Sequence, residues 1–469
     1  MMITQLTRCA VFICLCALWG CRSHKLLRPV TYGSLQQVAA DQPFEIPLDT
    51  LDAVYDKTNC KRLLSLVYQG QHAQPGWHRQ GVRVPGADSL IGMLRHTAYY
   101  GLPESGYHLE EVMILAPDRS ITARQRLDVL LTDAYLSLSH DLEFGLLAPH
   151  TDDRDSIDLE RTGHVFSNGG VVSSLESREP AHQGYRALKN CLRNILDSAA
   201  LHGGDTIPMK ETIRTIGVNL ERWRQEQTPW SPRYVVVNIP AYRLDVIERG
   251  DTILSSRVIV GTVEHPTPEL SSVIRSFTIY PYWVVPRKIA VEEYLPVIKA
   301  DTTFFKRTDF EVLDRKGNLL DPAQIPWKTY HKNNFPVVLR QQEGSGNALG
   351  LIKFTFDNPY AVFLHDTNAK QLFRKQARAL SHGCIRVEKA AAIARYLMTG
   401  SPDRESAVVR RYLDEQRQAV MATPQPLPIY VRYFTAEVTA DGLSIHPDIY
   451  GRDILLSRLL RDMELKRAL

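Results

Sequence analysis

The repeat of apolar residues changes at Pro229, from a helical period before it to a strand period after it. A helix buries a stripe recurring every three or four residues and a strand buries alternate residues, so the two stretches cannot continue one layer. Upstream, residues 51–224 read mainly helical. Residues 89–99 place Leu90, Ile91, Leu94 and Ala98 on one face, and residues 121–144 repeat the pattern with Leu127, Leu130, Leu131, Ala134, Leu138 and Leu142. Residues 185–200 and 211–224 are two further helices, while the polar, glycine-containing 149–170 is a loop. Downstream, residues 234–239 form a β-branched run, 243–247 alternate, and 252–261 follow after Glu248-Arg249-Gly250-Asp251, which spells a hairpin. Further strands are expected at 276–279, 352–356, 361–364 and 429–435. Residues 286–340 interrupt them with a helical piece at 292–299 and a turn at Lys316-Gly317-Asn318, the pattern of an insertion.

The 469 residues are 44% hydrophobic, enough to bury a core in each of two or three domains. The 56 basic and 52 acidic side chains nearly cancel and form no basic block interleaved with aromatics, which argues against a nucleic-acid partner. Met1 to Arg8 is followed by an apolar run from Cys9 to Leu18, roughly ten residues, the length of a leader and too short to span a bilayer. It ends in Leu18-Trp19-Gly20-Cys21, which resembles a lipobox and implies lipidation at Cys21 and a membrane-surface anchor. The expected organisation is α+β: a lipoprotein-type leader over 1–20, a linker over 21–48, a helical domain over 49–228, a β-rich mixed-sheet domain over 229–456 with an insertion over 287–340, and a helical tail over 457–469. The expected location is the periplasm of a Gram-negative cell, with the lipid held in the outer membrane.

Cysteine usage then narrows the chemistry. Of seven cysteines, Cys9, Cys14 and Cys16 leave with the leader; Cys60 and Cys191 either pair or stand as separate thiols. Cys384 differs, lying in Ser381-His382-Gly383-Cys384-Ile385-Arg386 with His365 nineteen residues upstream. A thiol becomes a nucleophile when a neighbour takes its proton, and His365, at the end of an expected strand, is placed to do so. His382 shares a face with Cys384 if the chain there is extended. Amides of Gly383, Cys384 and Ile385 are candidates for holding an oxyanion, and Arg386 for a substrate carboxylate or for bracing the loop. A zinc site is the competing reading of two histidines and a cysteine, but neither CxxC nor HExxH spacing occurs, so no metal or cofactor is expected.

Ser381-His382-Gly383-Cys384 with upstream His365 resembles the signature of L,D-transpeptidases with a YkuD-type catalytic domain. Leu220-Glu221-Arg222-Trp223-Arg224, Val237-Asn238-Ile239-Pro240, Arg340-Gln341, Asn347-Ala348-Leu349-Gly350 with Lys353-Phe354, Leu364-His365-Asp366-Thr367, Tyr433-Phe434-Thr435-Ala436 and Asp448-Ile449-Tyr450-Gly451 are similar to the large periplasmic branch of that family. The resemblance implies a helical scaffold domain, a catalytic domain and a capping insertion. It implies a peptidoglycan tetrapeptide stem as donor and a second stem as acceptor. Cys384 would be the nucleophile, His365 the base oriented by the Asp366 carbonyl, and Ser381, His382 and Gly383 would support the oxyanion site. The product would be a 3→3 cross-link with release of D-alanine. Water in place of the amine gives a carboxypeptidase, and a non-catalytic wall scaffold is the third reading. The stretch between Tyr185 and Glu221 is too short for the small peptidoglycan-binding module that this branch carries.

Overall fold

The computed structural model describes residues 60–70, 76–149, 165, 170–202, 206–226, 228–301 and 303–468. The leader, the whole linker and Cys21 lie outside the described residues.

Among the described residues the α-helices ahead of the sheet are α1 (Lys61–Gly70), α2 (Pro85–Leu94), α3 (Leu109–Leu115), α4 (Ile121–Phe144), α5 (Val171–Glu176), α6 (Gln183–His202) and α7 (Ile207–Gln225). The start of α4 is set by Ser120, whose hydroxyl accepts from the Ala123 amide at 3.2 Å. The helix was expected to bury one stripe, but its middle is buried on every side, charged residues included. Those charges are paired, as buried carboxylates must be. Asp128 accepts from the Trp77 and Gly76 amides at 2.9 and 3.0 Å, Asp133 from the Cys60 amide at 2.9 Å, and Asp141 from the Tyr107 hydroxyl at 2.7 Å. The aspartates of α4 thus tie the surrounding segments to one central rod. Cys60 and Cys191 are both free thiols, so they do not pair.

The strands are β1 (Arg233–Asn238), β2 (Arg243–Glu248), β3 (Asp251–Gly261), β4 (Leu270–Ile279), β5 (Ile352–Phe356), β6 (Leu364–His365), β7 (Ala379–Ser381), β8 (Ile385–Val387) and β9 (Ala419–Arg432). They form one mixed sheet in the order β7-β3-β8-β6-β5-β4-β9-β1-β2, and β2 also pairs with β3, so the sheet curls back on itself. The expected hairpin is β2–β3, with Arg249 and Gly250 at φ 51° and 96°, the left-handed conformation a two-residue loop requires. The strand expected at 361–364 shrinks to Leu364–His365. Ahead of it Ala361 sits at φ 54°, and the Asn358 side chain takes the Tyr360 and Val362 amides that a ladder would have used. Alternate residues Ile352, Phe354, Leu364, Ile385 and Val387 enter the core with Ile393, Ala394 and Leu397 of α8 (Ala390–Thr399).

The insertion carries a four-stranded sheet of its own, in the spatial order 283–284, 338–341, 310–313, 319–320. It also has its own core of Leu295, Ile298, Phe304, Val312, Trp327 and Leu339, and so reaches slightly beyond 287–340 at both ends. Helices α6 and α7, read as part of the helical domain, share a core with the β-rich side. Tyr185, Leu188, Leu220 and Trp223 pack with Phe434 and Ala436, and the Trp223 ring stacks on Phe434 at 4.4 Å. The C-terminal helix starts at Arg452 rather than 457 and returns to α4, where Arg467 donates to Asp141 at 3.0 Å.

At this seam the His182 ring stacks on Trp223 at 4.4 Å, and burial pushes its pKa down to about 4. Below the ordinary value of about 6.5 the unfolded chain binds a proton that the fold refuses, so stability falls as pH drops through that window to about 4. The cost is up to about 1.4 kcal/mol per pH unit. Denaturant midpoints of His182→Phe at pH 7 and pH 4.5 should differ by less than those of the wild type; an equal difference would remove His182 from the account.

Candidate active site

Three neighbouring strands build the site. In the β5–β6 pair Lys353 lies opposite His365, and in the parallel β6–β8 pair His365 lies opposite Arg386. Directly opposed residues share a face, so Lys353, His365 and Arg386 form a row across the sheet, on the side away from Ile352, Leu364 and Ile385. The Ile385 amide donates to the Phe363 carbonyl at 3.1 Å, which sets the residue before it, Cys384, beside the loop that leads into His365.

His365 is buried, and its Nδ1 lies 2.5 Å from the Asp366 carbonyl, so Nδ1 carries the proton and Nε2 the lone pair. Burial first, and then the neighbouring Arg386 charge, push the imidazole down to about 3, against the Asp366 carbonyl. The ring is therefore neutral at physiological pH and able to accept a proton. Burial also pushes the Cys384 thiol up, while the Phe363 amide, Lys353 and Arg386 favour the thiolate. At rest the pair is thiol and imidazole.

The remaining motif residues have separate tasks. Ser381 Oγ donates to the Cys384 carbonyl at 2.5 Å and accepts from the Gly383 amide at 3.2 Å. Of the three amides considered for an oxyanion, Gly383 is thus bonded to Ser381 and Ile385 to Phe363; only the Cys384 amide has no partner among the described residues. Gly383 is needed for its φ of 106°, since an added Cβ would have room. That turn also overturns the extended reading of residues 382–384. His382 is exposed, and its Nε2 lies 2.7 Å from Glu293 Oε1 of the insertion. Arg386 is half-buried without an ion pair to any described residue. Asp366 braces the turn beside His365: its Oδ2 accepts from the Leu351 amide at 3.0 Å and its Oδ1 pairs with Lys370.

Gly350 makes that brace fit. It has φ 61°, and a Cβ there would sit 2.5 Å from the Thr367 amide nitrogen and 2.6 Å from Asp366 Cγ. Gly350→Ala is expected to lose about 1–3 kcal/mol from backbone strain, before the clash is counted, and to displace His365. Wild-type melting and turnover in this variant would refute the brace.

Sequence reasoning missed the residues that hold the Cys384 loop from outside. Thr267 Oγ1 donates to the Gly383 carbonyl at 2.9 Å and accepts from the Gly261 amide at 2.8 Å; Tyr450 OH donates to the Gly261 carbonyl at 2.7 Å. It also missed Lys353, although the alternation Ile352-Lys353-Phe354 places that lysine on the polar face of its strand. Among the described residues no group of three or more His, Cys, Asp or Glu could hold a metal ion, and no helix is long and apolar enough to cross a membrane. A cleft of about 640 Å³ lined by His182, Trp223, Trp230 and Tyr234 contains none of the motif residues.

Residues 232–409 match the family model of the L,D-transpeptidase catalytic domain, YkuD, and residues 62–192 match that of a scaffold domain. A curated protein of Haemophilus influenzae, named provisionally as an L,D-transpeptidase, is 37% identical over 227 residues, which cover 47% of this chain and 44% of that protein. The chain thus spans less than half the length of that relative. Two solved structures, an L,D-transpeptidase from Mycobacterium smegmatis and L,D-transpeptidase 1 from Mycobacterium tuberculosis, are 15% and 16% identical. Each covers 43% of this chain, with 58% and 61% of their own chains covered and TM-scores of 0.20 and 0.15, at which the likeness carries no argument. Residues 232–409, the segment that presents Cys384 and His365, thus carry a YkuD-type L,D-transpeptidase catalytic domain, and residues 62–192 a scaffold domain.

Proposed function

We propose that this protein is a peptidoglycan L,D-transpeptidase working through a Cys384 thioester. The observation that carries the reading is the neutral, buried His365, oriented by the Asp366 carbonyl and set one strand from the nucleophile, inside a matched catalytic domain. The Cys384 proton passes to His365 Nε2 as the sulfur attacks the carbonyl of the third stem residue. The Cys384 amide, held by the Gly383 turn, steadies the oxyanion. The proton is then returned to the amine of the departing D-alanine, leaving a thioester. The side-chain amine of a second stem attacks that thioester, gives its proton to His365 and closes a 3→3 cross-link, while the thiol is restored. Water in the amine's place would give tripeptide, the carboxypeptidase outcome.

The insertion supports a capping role, since Glu293 reaches His382 on the nucleophile loop. We place the protein in the periplasm, lipid-anchored to the outer membrane through Cys21, on the leader and lipobox pattern. Purified protein given a tetrapeptide stem should yield free D-alanine and cross-linked dimer masses. Tripeptide without dimer would select the carboxypeptidase, and neither product would overturn the reading.

A further inference from the structure

Lys353 takes part in no step of the chemistry just described beyond favouring the Cys384 thiolate, yet its position in the row is unusual. It lies opposite His365 on β5, as Arg386 does on β8, so the base is flanked by a cation on each side. Both cations are half-buried, and among the described residues neither has a hydrogen bond or ion pair to a carboxylate. Among the described residues the Lys353 ammonium lies 4.2 Å from the centroid of the Phe363 ring and interacts electrostatically with Cys384. Nearby acids are committed elsewhere: Asp366 to Lys370 and the Leu351 amide, Glu293 to His382. Cations drawn out of water are favoured by a counter-charge, because desolvating them unpaired is costly. Burial weakens the hold of both groups on their protons, the expected result of a missing partner. Two uncompensated cations on either side of a proton acceptor leave a site that an anion would complete.

We propose that Lys353 and Arg386 form a two-cation subsite that binds two carboxylates of the acyl donor, with Lys353 as a substrate-positioning residue. The inference rests on the transpeptidase reading, since it is the donor stem that offers carboxylates close to the bond cleaved. One is the C-terminal carboxylate of the departing D-alanine. The other is the free carboxylate on the side chain of the third, diamino-acid residue. A cation on each side of His365 would hold the donor across the base and fix the scissile carbonyl over Cys384. A charge-assisted hydrogen bond to each carboxylate contributes about 1.5–3 kcal/mol, which is roughly ten- to a hundredfold in KM per cation.

The test uses the full chain with three synthetic donors: the diacid, the same stem with its side-chain carboxylate as the amide, and the same stem with its C-terminal carboxylate as the amide. Lys353→Met should raise KM for the diacid by roughly tenfold or more while leaving one of the two amides nearly unaffected, because the contact it loses is already missing there. Lys353→Arg should recover part of the loss. The alternative role, help in forming the thiolate, is read separately from the pH profile of Cys384 alkylation by iodoacetamide. If Lys353→Met slows all three donors equally and shifts that profile upward, the lysine acts on the thiol and the proposal falls. It falls equally if KM for the diacid is unchanged. Failure of the wild type to turn over any donor would instead overturn the transpeptidase reading.

Discussion

Cys384→Ala is expected to abolish acyl-enzyme formation, with no adduct detectable by intact-protein mass spectrometry after incubation with a tetrapeptide stem. In the proposed mechanism Cys384 has no stand-in: removing a nucleophile from a hydrolytic triad lowers kcat by on the order of 10⁶-fold, and among the described residues no second thiol lies on this sheet. Cys60 packs in the helical domain against Ser137, 3.4 Å away, and Cys191 lies on α6. The loop itself should survive the substitution. It is held by Ser381, Thr267 and the Gly383 conformation, none of which uses the Cys384 sulfur. The denaturation midpoint of Cys384→Ala should therefore stay close to that of the wild type. Adduct formation by the variant at a comparable rate would remove Cys384 from the mechanism.

His365→Ala is expected to lower the acylation rate by roughly 10²–10⁴-fold, the range for a positioned general base. The residual activity has a predicted pH dependence. Without an imidazole to take the proton, attack depends on the thiolate already present, and burial holds the Cys384 thiol above its ordinary range. Residual acylation should thus climb with pH through and beyond the ordinary thiol region. In the wild type the same geometry predicts an acid limb well below pH 6.5, because the imidazole is held down to about 3 by burial and by the Arg386 charge. A kcat/KM profile that falls with a midpoint near 6.5 would mean that His365 is not the acceptor. So would a His365→Ala profile that is flat from pH 7 to 10.

Much of the site could be read without coordinates because its signals are local. Ser381, Gly383 and Cys384 lie within four residues of one another, and His365 stands at the end of an apolar run that the core demands. The change from helix to strand near Pro229, the long helix at residues 121–144 and the hairpin at Gly250 were legible for the same reason: each depends on a period or a turn within a few residues. Expectations failed where a side chain takes the backbone groups a strand would use, or where segments distant in sequence supply partners. The strand at 361–364 was cut short by the Asn358 side chain, and α4, with one readable apolar stripe, proved buried all round because other segments bring donors to its aspartates.

By itself the sequence determined which elements form and which residue types carry the chemistry. Hydrophobic period and backbone preference act over one or two turns or strands. Only the tertiary structure decided what those residues face. Pairing of β5, β6 and β8 aligned Lys353, His365 and Arg386, three residues from separate segments that no spacing rule would group. The same folding turned His382 outward to Glu293, gave the Gly383 amide to Ser381 and packed α6 and α7 against Phe434. Strand register and interdomain packing follow from burying the whole core at once. The cation on the far side of His365 appears only when that register is set.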